Sequence, residues 1–296
     1  MGEVAVALAN WNGMKYIERC LESVFAQTCA PREVVVVDNG STDGSPEWIA
    51  AHHTQIQLHL NPTNTGFAAS YNQAISACAQ PFVLILNTDV FLAPDFIECA
   101  LADLAEHPDA GAATGRVYQQ GTGEWLNSGF FLRPQIRTQH SANLERAEAV
   151  FGCSGALILL RREMLEDIRI DGQYFDEGYF SYGEDIDLAW RAQLLGWQAR
   201  FAPKACAHHV GSGSSAENLR FVDKPAFLQR HLLKNRYLTL VKNTSVGLLP
   251  YVLPAFVLAE PLVWLYLLLR LPWRFPYLLL ALSDACRLLP TALRWR

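Results

Sequence analysis

The sequence predicts an α/β fold: a mostly parallel sheet flanked by helices, followed by an apolar helical extension. Three observations carry this expectation. Short apolar runs alternate with stretches of helical periodicity from Val4 to Leu86, the pattern of a parallel sheet covered on both faces. Each run ends in polar, turn-forming residues, as strands do when a ligand crevice lies beyond their carboxyl ends. From Val246 to Leu269, charge nearly disappears and leucines crowd together.

Val4 to Ala9 is a strand that stops at Asn10-Trp11-Asn12-Gly13, and Ile17, Leu21, Val24 and Phe25 form a helical face within Lys15 to Gln27. Val34 to Val37 is β-branched throughout and reads as a strand buried on both faces, with an acidic turn from Asp38 to Ser45 after it. The next helix begins at Pro46, with Ser45 expected as its N-cap. Ile56 to Leu60 is the third strand, and a polar turn from Asn61 to Asn64 leads into a helix near Phe67. Phe82 to Leu86, the fourth strand, runs into Asn87-Thr88-Asp89. Between Gly111 and Gly172 glycines punctuate short apolar pieces, an expected antiparallel extension in which Ala156 to Leu160 is a buried strand. A helix starting near Glu184 is expected to bury Ile186, Leu188, Ala189, Leu194 and Leu195. After Phe201 to Ala207 come His208-His209 and the run Gly211-Ser212-Gly213-Ser214-Ser215, which suits a mobile lid.

At 296 residues and 51% hydrophobic content the chain can bury a sizeable core. A net charge of -5 offers no basic field for nucleic acid. That charge is uneven: five arginines against Glu260 and Asp284 leave +3 from residue 246 onward and -8 for the rest. The seven cysteines show no C-x-x-C spacing, which fits reduced cytoplasmic thiols and argues against a zinc or redox site. No basic stretch precedes the first strand, so no secretory signal is expected. Val246 to Leu269 carries only Glu260 and is long enough, at about 1.5 Å per residue, for a hydrocarbon core of about 30 Å. Pro250, Pro254 and Pro261 argue against one straight span, and Phe275 to Leu282 is too short to cross. Trp264, Trp273, Tyr277 and Trp295 stand near arginines like interfacial anchors. The favoured reading is a helical hairpin on the inner face of the cell membrane, ahead of a transmembrane span or a buried soluble cap.

Asn10, Asp38, Asn61 to Asn64 and Asp89 all follow strand ends and are expected to share one crevice. Alone, Asp89 fits a turn cap; among those neighbours it fits a ligand of Mg²⁺ or Mn²⁺ whose shell is completed by substrate phosphates. Glu184, Asp185 and Asp187 suit a helix N-terminus through the macrodipole, and a carboxylate there can act as general base toward an acceptor hydroxyl. Adjacent in a strand, His208 and His209 point to opposite faces, so only one of them faces a site.

Taken in order, VALANWNG, VVVVDNGSTDGS, NPTNTGFAASYNQAI, VLILNTDVF, FDEGYFSYGEDIDLAWRAQLLGW and PKACAHHVGSGSS resemble glycosyltransferase family 2 over Val4 to Ser215, most closely its bacterial rhamnosyltransferase-like branch. The resemblance implies a GT-A fold in residues 1–240, with a nucleotide-sugar half of about 1–110 and an acceptor half of about 111–240, ahead of a membrane-associating region in 241–296. It implies an inverting hexosyltransferase that uses a divalent metal, with Asn10, Asn12, Asp38, Asn64, Gly66 and Asn87 on the donor nucleotide. It makes Asp89 and His208 the metal ligands, with His209 as the fallback. Asp185 becomes the general base, and Glu184 an acceptor-orienting group. Asn87 stands where many relatives have aspartate, and the Q-x-x-R-W pattern of processive synthases is absent near Arg191, which implies one sugar per encounter. The implied donor is dTDP-rhamnose ahead of UDP-hexoses, and the implied acceptor a lipid-linked or cell-surface glycan intermediate.

Other classes fit less well. A Rossmann dehydrogenase lacks its G-x-G-x-x-G after the first strand. A nucleotidyltransferase would release pyrophosphate, and a nucleotide-sugar-binding scaffold at the membrane would bind a donor without transfer.

Overall fold

The computed structural model describes residues 3–127, 129–140, 144–210 and 221–295. Its first part is β1 (Val4–Asn10), α1 (Ile17–Phe25), β2 (Glu33–Asp38), α2 (Ser45–His52), β3 (Gln57–Leu60), α3 (Gly66–Ala77) and β4 (Phe82–Asn87). These strands lie in the order β3-β2-β1-β4, all parallel. Alternate residues feed opposite faces: Val6, Leu8 and Val36 pack with Leu21 of α1, while Ala7, Val35 and Val37 pack with Tyr71 and Ile75 of α3. Two buried faces explain the unbroken valine run. The register sets Asn10 beside Asp38, Ala9 beside Asn87 and Asp38 beside Leu60, so the polar strand ends line one edge of the sheet.

The chain continues through β5 (Val90–Leu92), α4 (Phe96–Glu106), β6 (Ala110–Gln119), β7 (Trp125–Asn127), β8 (Phe130–Arg133), β9 (Arg137–His140), β10 (Glu148–Val150), β11 (Leu157–Arg161), α5 (Arg162–Asp167), α6 (Glu184–Leu194) and β12 (Gln198–His209). The sheet extends from β4 as β11-β6-β12-β10. Its antiparallel character is as expected at β11, but β12 runs parallel to β6, so the extension is mixed. β8 and β9 form a separate hairpin.

Two local expectations are corrected. Gly44, at φ 84°, occupies the N-cap of α2, and Ser45 lies inside the helix with its hydroxyl donating to Asp43 at 2.5 Å. On α6, Leu194 and Leu195 are 54% and 57% exposed, and the buried face instead carries Asp187 and Arg191 beside Leu188 and Ala189. A polar pair replaces leucine there because Arg191 Nε meets Asp187 at 3.0 Å and satisfies it.

The C-terminal part is helical: α7 (Ala226–Asn243), α8 (Leu249–Arg270) and α9 (Phe275–Arg294). Pro250 lies in the first turn of α8, where a missing N–H costs nothing, and the helix continues through Pro254 and Pro261. α9 is longer than the apolar piece Phe275 to Leu282 and carries Asp284 and Arg287. It packs on α7 through Leu233, Leu278 and Ala281 and through Leu238 and Ala292. Much of α8 faces outward, with Leu258, Leu262 and Leu269 well exposed. The Gly211–Ser215 lid lies outside the described residues.

Candidate active site

The loops after β1, β2 and β3 are stitched to one another by neutral groups gathered around two carboxylates, Asp38 and Asp43. Asp38 is buried; its Oδ1 accepts from Asn10 Nδ2 at 2.7 Å and Ser41 Oγ at 2.6 Å, and its Oδ2 from the Ser41 amide at 2.9 Å. Asn12, at φ 50°, accepts from the Thr42 amide at 2.8 Å. Asp43 receives the Met14 amide at 2.8 Å. Burial works against ionisation of Asp43, but hydrogen bonds from the Ser45 hydroxyl and the Met14 and Ser45 amides outweigh it and lower its pKa. Asn64 Oδ1 accepts from Asn39 Nδ2 and from the Gly66 amide, both at 2.9 Å. Asn39, which sequence reasoning passed over, also receives the Thr65 amide at 3.0 Å and joins the second loop to the third. Its position beside Asp38 in the acidic turn was the available signal. Gly66 has φ +89°, and a Cβ there would lie 2.6 Å from the Phe180 carbonyl oxygen, so only glycine fits.

The sheet edge continues into the second cluster. Asn87 Oδ1 accepts from the buried Tyr71 hydroxyl at 3.1 Å. Asp89 Oδ1 lies 3.2 Å from His209 Nε2, both residues buried. His208 is exposed and its ring packs 5.9 Å from Tyr118. Strand alternation in β12, with His209 registered against Val90, turns His209 inward, so the expected fallback His209 stands beside Asp89 and His208 does not. At the start of α6, Asp185 Oδ2 accepts from the Gly155 amide at 3.1 Å, and Glu184 is buried.

A cavity of about 850 Å³ brings Glu184, Asp185, Asn87 and His209 to one wall. Asn10, Asn12, Asp38 and Asn64 are not on that wall; they lie along the adjoining strand ends. α7 and α8 add a mixed lining, Leu233, Leu262, Tyr266 and Leu267 with Asn235, Arg236 and Thr239 among them. Glu260, the lone acid of α8, is neutralised by Arg236 at 2.5 Å and hydrogen-bonded by the Tyr237 hydroxyl.

Behind this wall lies a buried ionic cluster. Lys242 Nζ is 2.7 Å from Asp176 and 2.9 Å from Asp187, and Asn243 Nδ2 donates to Asp187 at 2.8 Å. Burial alone would raise the Asp187 pKa, but Arg191 and Lys242 outweigh it and hold the carboxyl below its usual range. Lys234 is pulled down to about 8 by burial, and its Nζ donates to the carbonyls of Gly178 at 2.6 Å and Tyr179 at 3.3 Å.

Parallel strand ends that open onto one polar crevice are where open α/β sheets bind their ligands. The model of glycosyl transferase family 2 matches residues 5–169, and the chain belongs to that family; it is a glycosyltransferase. Among similar proteins, the N-acetylglucosaminyl-diphospho-decaprenol L-rhamnosyltransferase of Mycobacterium tuberculosis is 29% identical over 224 residues, covering 66% of this chain and 72% of that protein. The poly-beta-1,6-N-acetyl-D-glucosamine synthase of Staphylococcus epidermidis is 23% identical over 213 residues, covering 68% of this chain and 48% of that protein, so the chain spans about half of it. Among solved structures, the mannosyltransferase PcManGT of Pyrobaculum calidifontis, in complex with GDP-Man and Mn²⁺, has a TM-score of 0.54 at 23% identity and covers 97% of this chain and 75% of its own. GalNAc-T7 with UDP, GalNAc and Mn²⁺ has a TM-score of 0.62 at 15% identity, covering 82% of this chain and 48% of its own. These structural likenesses establish the fold.

Proposed function

We propose that the enzyme adds one sugar, with inversion, from a nucleotide sugar to an acceptor hydroxyl on an amphiphilic, lipid-linked glycan intermediate of cell-surface polysaccharide or glycolipid synthesis. The observation that carries this reading is the mixed lining of the cavity, where carboxylates and an imidazole share one space with leucines and a tyrosine of α7 and α8. A free sugar needs no apolar lining of this kind; a glycan joined to a lipid does. The donor favoured is dTDP-rhamnose, in keeping with the named activity of the Mycobacterium tuberculosis relative, with UDP-hexoses second. Asp38, Asn10, Asn12, Asn64, Gly66 and Asn87 form the nucleotide side.

Asp89 and His209 would hold the divalent ion, His209 taking the place given to His208 by resemblance. A carboxylate oxygen with an imidazole nitrogen suits Mn²⁺ better than Mg²⁺. Among the described residues there is no group of three or more metal-binding side chains, which leaves coordination positions for diphosphate oxygens. Once bound, the ion supplies positive charge to the leaving diphosphate. Asp185 accepts the acceptor hydroxyl proton as that oxygen bonds to the anomeric carbon and the bond from carbon to phosphate oxygen breaks, and the Gly155 amide holds its carboxylate in place. Glu184 orients the acceptor. We read residues 1–240 as the catalytic unit and 241–296 as its seat on the inner face of the cell membrane. The support is α8, an apolar helix of 22 residues with only 17% of its most apolar window buried.

Asp185→Asn is expected to lower transfer by about 10²–10⁴-fold, the usual share of a general base. Donor-induced thermal stabilisation in Mn²⁺ is expected to persist in that variant. Full transfer activity would overturn the assignment.

A further inference from the structure

With Asp185 taken as the base, we infer that Asn235 of α7 is a positioning residue for the transfer, fixing the loop that presents Glu184 and Asp185. This loop, residues 176–183, has an unfavourable backbone. Phe180 has φ 65° and ψ -61°, and the Ser181 amide donates to the Tyr179 carbonyl at 2.8 Å, which together make the rare, strained form of γ-turn. Tyr182 follows at φ 70° and Gly183 at φ 90°. Non-glycine residues held in such regions cost on the order of 1–3 kcal/mol each and persist only where the surroundings over-determine them.

The determining groups come from one helix. Asn235 Nδ2 meets the carbonyls of Tyr179 at 3.1 Å, Ser181 at 2.8 Å and Tyr182 at 2.5 Å. Lys234, one residue earlier, reaches the Gly178 and Tyr179 carbonyls. The His231 ring stacks on Phe180 with centroids 5.0 Å apart. On its other side Phe180 presses against Gly66, so the turn is clamped between α7 and the start of α3. Lys242 pins Asp176 and Asp187, the two residues that bracket the loop.

Asn235 is 2% exposed, and its Oδ1 is buried with no hydrogen-bond partner among the described residues. Leaving an acceptor unsatisfied costs on the order of 1–3 kcal/mol, so the position is poorly explained as core packing. What the amide supplies is its pair of N–H donors, spent on three carbonyls of the turn that leads into Asp185. A base displaced by an ångström loses much of its rate, so this clamp acts on the chemical step.

Asn235→Leu keeps the branched shape and the number of side-chain heavy atoms and removes the donors. In the full chain with Mn²⁺, kcat is expected to fall about tenfold or more, with the donor Kd held within about twofold. The acid limb of the kcat–pH profile is expected to move to higher pH, because an Asp185 drawn away from the Gly155 amide loses a hydrogen bond that favours its ionised form. A merely structural role would lower Tm and leave that limb in place. Should Asn235→Leu fail to fold, the milder Asn235→Ser gives the same readouts. A kcat within about twofold of the parent with an unmoved acid limb, in either folded variant, overturns the inference. If Asp185→Asn is inactive while the Asn235 variants are fully active, only the positioning role falls; if Asp185→Asn is active, the base assignment itself has failed.

Discussion

On the proposed donor side, the loops after β1, β2 and β3 are held by short hydrogen bonds between amides, hydroxyls and backbone groups, gathered around Asp38 and Asn39. On the proposed acceptor side, the loop before α6 is held by buried charges, Lys242 between Asp176 and Asp187, and by a clamp from α7. The first arrangement is local to one sheet edge and tolerates losses one bond at a time. The second puts ions where water cannot reach them, so each depends on its partners. Strain is concentrated on the same side, at Phe180 and Tyr182.

The contrast can be broken most decisively at Lys242. Lys242→Met strands Asp176 as a buried anion and leaves Asp187 with Arg191 as its one cation, and a stability loss of about 3–5 kcal/mol is expected from urea unfolding. A midpoint unchanged from the parent would show that the ionic cluster does not hold the acceptor side. Asn39→Ala is the matching donor-side change. It removes neutral bonds to Asn64 and Thr65, and its expected cost is about 1–2 kcal/mol, together with weaker nucleotide-sugar affinity in calorimetry. A loss as large as that of the lysine variant would erase the distinction.

The smallest effect expected is one of pH. Burial, with Lys234 adding to it, lowers the His231 pKa from 6.5 to about 4. Between those values the unfolded chain binds the proton and the folded chain does not, so stability falls as pH drops through that window. His231→Gln should flatten this decline, read as Tm against pH; an identical slope would rule His231 out as its source. Asp187 acts further down: its lowered pKa makes its contribution present above the usual carboxylate range and lost as pH falls through the depressed value.

The donor side was largely readable from sequence because parallel strands, β-branched runs and polar strand ends are local signals. The register then placed Asn10, Asp38 and Asn87 on one edge without further information. Strand alternation said that one of His208 and His209 faces inward, but the choice depends on the pairing of β12 with β5, which no local pattern encodes. Leu194 and Leu195 looked like core because the helix period was right. Asp187 and Arg191 claimed the interior through partners on α7, and Asn243 lies 56 residues from the aspartate it bonds. The loop conformation at Phe180 was equally hidden, since its support comes from Asn235 and Gly66, on opposite sides in the chain.

That separation along the chain also orders events in time. Synthesis runs from the N-terminus at about 5–20 residues per second, so Asp185 is made seconds before Asn235 and Lys242. For that interval a nascent chain carries every acidic group of the crevice without the helix that tightens the turn before Asp185. Completion of α7 thus works as a timer: the turn before Asp185 is tightened only as the apolar helices that follow begin to be made.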